Sequence, residues 1–93
     1  MATSELNTGN PAFQRALGSG DDLDNLYGLK CNGAYTTTSG MSNAPATWGY
    51  LLVISSGDSQ TVQVYFRRNC IWTRARQGSP LSWSAWSQFD PIS

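Results

Sequence analysis

Gln60-Thr61-Val62-Gln63-Val64-Tyr65-Phe66-Arg67, then Arg68-Asn69, then Cys70-Ile71-Trp72-Thr73-Arg74-Ala75-Arg76 is the stretch that decides the fold. Its side chains alternate in character with a period of two, the signature of a strand presenting two different faces. Val62, Val64 and Phe66 take one side of the first run, and Thr61, Gln63, Tyr65 and Arg67 the other. After a two-residue connection, Ile71, Thr73 and Ala75 oppose Cys70, Trp72, Arg74 and Arg76. Upstream, Tyr50-Leu51-Leu52-Val53-Ile54 is continuously apolar and predicts a central strand covered on both faces. Ser55 to Ser59 predicts a hairpin loop between them. Gly33 to Thr38 is a further β-branched and aromatic run, and Ser42 to Thr47, with Pro45, is loop. Gln77-Gly78-Ser79-Pro80 turns the chain into a last strand, with Leu81, Trp83 and Ala85 on one face and Trp86 opposite if it is extended throughout. Ahead of the strands, Asn10-Pro11 followed by Ala12 to Leu17 predicts a short capped helix stopped by Gly18. Gly18-Ser19-Gly20 is a flexible joint, and Asp21 to Tyr27 a single capped turn with Leu23, Leu26 and Tyr27 inward. The expectation is a mainly β protein: a small antiparallel domain of four to five strands with a short N-terminal helical lead.

The chain has 93 residues, six Lys+Arg, six Asp+Glu and no histidine, so its formal charge is zero. One domain is expected from that length, with a modest core that a partner chain would help complete. Forty of the 93 residues are Ser, Thr, Asn, Gln or Gly and only 13% are charged, so the surface is polar without a strong field. Such a chain is poorly suited to duplex nucleic acid or to anionic membranes. Lack of histidine excludes Ser-His-Asp and Cys-His catalysis and histidine-ligated metals. The apolar run 50–54 is far shorter than the roughly 20 residues of a bilayer span. The first fourteen residues lack the basic-then-apolar order of a secretory signal, so synthesis in a cytosol is expected. There Cys31 and Cys70 are expected as unbridged small hydrophobes.

Few residues invite chemistry. Asp21, Asp22 and Asp24 fail the spacing of a calcium loop, which would place an oxygen donor where Leu26 stands and a glycine where Tyr27 stands, and fit capping instead. Glu5, Asp58 and Asp90 lie in loops or termini, and nothing pairs them as a hydrolase would need. No enzyme, no metal and no cofactor are expected. The remaining constellation is aromatic and basic: Trp72, Arg74 and Arg76 from one strand face, with Tyr65 and Arg67 from its neighbour. Stacked rings beside guanidinium groups suit either a sugar or single-stranded nucleic acid, and the low charge favours the sugar. Core packing of Trp72 with cross-strand arginine pairs is an equal alternative.

A series of short motifs in fixed order resembles a known family. Asp22-Leu23-Asp24-Asn25-Leu26, Gly33-Ala34-Tyr35, Asn43-Ala44-Pro45 and Trp48-Gly49-Tyr50-Leu51-Leu52-Val53-Ile54 come first. Gln63-Val64-Tyr65-Phe66, Ile71-Trp72-Thr73-Arg74-Ala75-Arg76 and Trp83-Ser84-Ala85-Trp86 follow. The order is similar to that of the knob domain of R-type pyocin and bacteriophage tail fibres, over residues 21–90. The resemblance implies a β-rich knob, residues 21–93 after a lead of 1–20, forming a homotrimer on a virion tail fibre or pyocin-like particle. It implies attachment to a bacterial surface glycan such as lipopolysaccharide. Tail fibres of this family carry a long shaft before the knob, which points to a fragment or a small prophage-encoded remnant. A trimerisation or capping module with the receptor site elsewhere is the alternative, and a single-stranded nucleic-acid binder a more distant one.

Overall fold

The structure, a computed structural model, describes residues 13–57 and 59–90. Its frame is one sheet of seven strands: β1 Phe13–Leu17, β2 Gly33–Thr37, β3 Tyr50–Ser55, β4 Thr61–Arg67, β5 Cys70–Gln77, β6 Ser82–Trp83 and β7 Ser87–Phe89. The strands pair in chain order through β6, while β7 continues the edge by pairing with β5. All pairs are antiparallel except β1–β2. The β4–β5 hairpin turns at Arg68-Asn69 as its alternation predicts, with Tyr65 facing Trp72 and Gln63 facing Arg74.

The helical lead is not formed where it can be judged. Residues 10–12 of the expected helix lie outside the described residues. Phe13 to Leu17 is a strand running parallel to β2, with Leu17 in the core. Two apolar side chains in that segment give too little helical drive to compete with an open sheet edge. An expected boundary at residue 20 therefore runs through one sheet. Between β1 and β2, two 3-10 turns, Leu23–Asn25 and Leu29–Cys31, lay Leu23 and Leu26 onto the sheet. Asp22 caps the first, its carboxylate accepting from the Asp24 N–H at 2.9 Å.

The sheet has a covered side and an open side. The core consists of Leu17, Leu23, Leu26, Tyr35, Leu51, Val53 and Tyr65, with Trp72 and Trp86 packed against it. On β4 the buried residues are Thr61, Gln63 and Tyr65, whereas Val62 and Val64 are half-buried and Phe66 is exposed. Hydropathy alone would turn this strand the other way. The polar side faces inward because each polar group there has a partner. Thr61 Oγ1 meets Ser55 Oγ at 2.6 Å and accepts from the Gly28 N–H. Thr37 Oγ1 and the Tyr65 hydroxyl share a bond of 2.7 Å. Gln63 donates to the carbonyls of Leu23 and Leu26, tying the first 3-10 turn to the sheet. Nor is β3 covered on both faces: Leu51, Val53 and Ser55 are buried, but Tyr50 and Ile54 lie open.

Candidate functional site

The five residues expected on one strand face do share it. Trp72, Arg74 and Arg76 follow one another along β5, with Tyr65 and Arg67 opposite on β4. That face is the inner one, and the five part company according to depth.

Tyr65 is fully buried, so it makes no contact with a ligand, and burial pushes its phenol above the ordinary value. The Arg74 side chain is 5% exposed and stands at the centre of a closed network. Its Nε donates to Gln63 Oε1 at 2.9 Å, and its Nη1 lies 2.8 Å from Asp24 Oδ1. The guanidinium carbon sits 4.0 Å from the Trp83 ring centre and 4.6 Å from that of Trp86. Burial lowers the Arg74 pKa and the Asp24 carboxylate opposes the shift, while the two π faces take the place of water around the cation. Nη2 is buried without a hydrogen-bond partner.

Both indoles reach Arg74 because the last strand is interrupted. Ser84 bonds its N–H to the Ala75 carbonyl and receives the Ala75 N–H on its hydroxyl, leaving Ser84 to Trp86 between β6 and β7. The break shifts the alternation, so Trp83 and Trp86 fall on the same side instead of on opposite faces. Their N–H groups donate to the carbonyls of Asp24 and Asn43, which pins the first 3-10 turn and the 42–48 loop over the sheet. Arg76 is engaged too, with its guanidinium carbon 3.9 Å from the centre of the Tyr27 ring. These groups hold the fold together.

Arg67 and Trp72 differ. Together with Arg68, Asn69 and Cys70 they line a concavity of about 190 Å³ at the β4–β5 turn. Neither Arg67 nor Arg68 forms an ion pair among the described residues. Beside them runs Gly49, so closely that a Cβ there would lie 2.6 Å from the Phe66 carbonyl oxygen and 2.8 Å from Arg67 Cγ. The preceding residue, Trp48, is the tryptophan that sequence reasoning passed over. It is 64% exposed, whereas Trp72, Trp83 and Trp86 are half-buried. Its φ of 52° is the left-handed region, costly for a bulky side chain. The backbone around it is held by Trp48 N–H to Thr38 O, Thr37 N–H to Gly49 O and Gly49 N–H to Thr37 Oγ1. A signal for it existed: Trp48 closes a loop of small residues, outside any periodic segment that needs it as core.

Cys31 and Cys70 are both free; Cys31 packs on the core, and the Cys70 thiol donates to Asp90 at 2.9 Å. No group of three or more metal-ligating side chains occurs among the described residues, and none of their helices is long and apolar enough to cross a membrane. Comparison with family models, curated proteins and solved structures gave no significant match.

Proposed function

We propose that this chain is a non-enzymatic attachment module of a phage or pyocin-like tail fibre, acting in several copies, a homotrimer in the first instance. Its ligand is a bacterial surface glycan such as lipopolysaccharide, held at the β4–β5 end of the sheet. The observation that carries the reading is Trp48: an indole kept in water on strained but well-bonded backbone. The apolar face of a sugar ring stacks on such a surface, and strain of this kind gathers at ligand-binding positions. Arg67, Arg68 and Asn69 supply donors at the β4–β5 turn, which Gly49 approaches next to Trp48, and guanidinium groups with no ion pair among the described residues favour acidic or phosphorylated sugars. Trp72 lines the concavity at that turn with them. The order of sequence motifs supports the tail-fibre setting.

A glycan array and a whole-cell binding assay on the intact chain test the reading. Trp48→Ala should weaken binding about tenfold or more with an unchanged melting temperature, as should Arg67→Ala. A folded chain that binds no glycan and no cell, or binding indifferent to both substitutions, overturns it.

A further inference from the structure

The open side of the sheet is the largest feature that the attachment site does not use. Its residues fall in three cross-strand rows, fixed by register. The first row is Thr36, Tyr50, Phe66, Ile71 and Phe89. The second is Ala34, Leu52, Val64, Thr73 and Ser87, and the third Ile54, Val62 and Ala75. None of these thirteen positions carries a charge. Tyr50, Ile54, Phe66, Ile71 and Phe89 are 38–57% exposed although all are large and apolar. Taking about 200 Å² for each such side chain, these five alone leave roughly 500 Å² of accessible surface in water. That equals the largest apolar patch of a typical monomer, about 300–600 Å². The half-buried Leu52, Val62 and Val64 bring it to roughly 550–700 Å², somewhat below the ~800 Å² that each partner gives to a standard interface.

We infer that this face is the surface through which copies of this chain associate. The inference deepens the multi-copy reading above and rests on it for the identity of the partner. Charge selects that partner. A rotation axis brings equivalent positions of identical chains together, so any charge near it meets its own kind. The face satisfies that condition over three rows, and charged side chains appear only beyond it, Arg67 and Arg68 at the β4–β5 turn and Asp90 after β7. An apolar centre with a polar rim is how associating surfaces are built. Two such pleated faces pack about 10 Å apart with side chains interdigitated. The glycan site borders the first row, since Trp48 shares a shallow concavity with Thr36 and Tyr50, and Arg67 and Arg68 share one with Phe66, Ile71 and Phe89; association centred on the second and third rows multiplies it.

Sedimentation equilibrium on the full 93-residue chain should give a mass that is a multiple of 10.1 kDa and rises with concentration. Ile54→Lys, which points into water in the monomer and lies in the third row away from Arg67 and Arg68, should weaken association about tenfold or more. Leu29→Lys, exposed on the second 3-10 turn and outside the three rows, should leave it unchanged. Hydroxyl-radical footprinting of the unaltered chain gives a readout independent of any variant: Tyr50, Phe66 and Phe89 should become protected as concentration rises. A chain that stays monomeric throughout, or associates without protecting those rings, overturns the inference. Glycan affinity measured with a monovalent saccharide separates this outcome from the attachment reading. Ile54→Lys should keep that affinity and lose only avidity for cells. If association occurs but no saccharide binds, the attachment site is wrong and the interface stands.

Discussion

Arg74 and Trp48 show at the residue scale how the same chemistry serves opposite ends. Arg74 has its charge spent inside, on Asp24, Gln63 and two indoles, and its removal orphans Gln63 Oε1 and empties the space between the rings. Arg74→Ala should lower stability by about 1–3 kcal/mol, the cost of the unsatisfied Gln63 acceptor and the emptied space, since the Asp24 carboxylate is 40% exposed and water takes it over. Arg74→Met, which refills the volume, should lose less; urea unfolding of both variants checks the order. Against the about 5–15 kcal/mol of a typical domain, the alanine variant should still fold, with a clearly lower urea midpoint. Trp48 is the reverse case, with backbone strain kept for an exposed ring. Trp48→Gly removes a side chain from a left-handed position, so its melting temperature should be at least that of the parent while glycan binding is lost. A large fall in melting temperature would mean that the indole supports the fold.

At the scale of elements, the sheet is held to its cover by the segment before β2 and by the loop before β3. Asp22 caps the first 3-10 turn, and its carboxylate also accepts from the Asn43 side chain at 2.8 Å, linking the two. The Asn43 bond and the Asp24 N–H keep the Asp22 pKa below its ordinary value, and the Arg15 side chain does the same for Asp21. A carboxyl whose pKa is lower when folded stabilises the fold fully above its unfolded value, about 3.9 for Asp. That contribution is lost as pH falls through the folded value. Melting temperature should therefore decline on acidification below about pH 4, and Asp22→Ala should show a shallower decline from a lower start. Gly49 belongs to the same scale, because its closeness to β4 sets where the loop enters β3. Gly49→Ala should cost about 1–3 kcal/mol, as the backbone oxygen of Phe66 cannot yield as a flexible side chain would. Comparing denaturant midpoints would detect it.

For the whole molecule, the interplay of core and open face matters more than any strand. A one-sided sheet has only half its apolar surface covered by its own chain, and here the exposed half is free of charge. Joining copies would both complete the burial and present several glycan sites at once, so weak single contacts gain strength by effective concentration. Attachment to cells should accordingly fall more steeply than monovalent affinity when association is disrupted. Equal losses in the two assays would sever that link.

The period of two in residues 60–76 determined a β protein by itself, because alternation follows from strand geometry whatever surrounds it. While only the structure singled out Asp22 as the cap, the β4–β5 register, capping by an aspartate of the 21–24 cluster and the common face of Tyr65, Arg67, Trp72, Arg74 and Arg76 were legible for the same local reason. Which face turns inward was not. Thr61, Gln63 and Arg74 are tolerable inside only because Ser55, the Leu23 and Leu26 carbonyls and Asp24 arrive from elsewhere in the chain to bond them. Likewise Phe13 to Leu17 became a strand because β2 offered an edge, and Trp86 joined Trp83 because Ser84 broke the pairing. Local sequence sets the period of a strand, and long-range partners decide which side of it water sees.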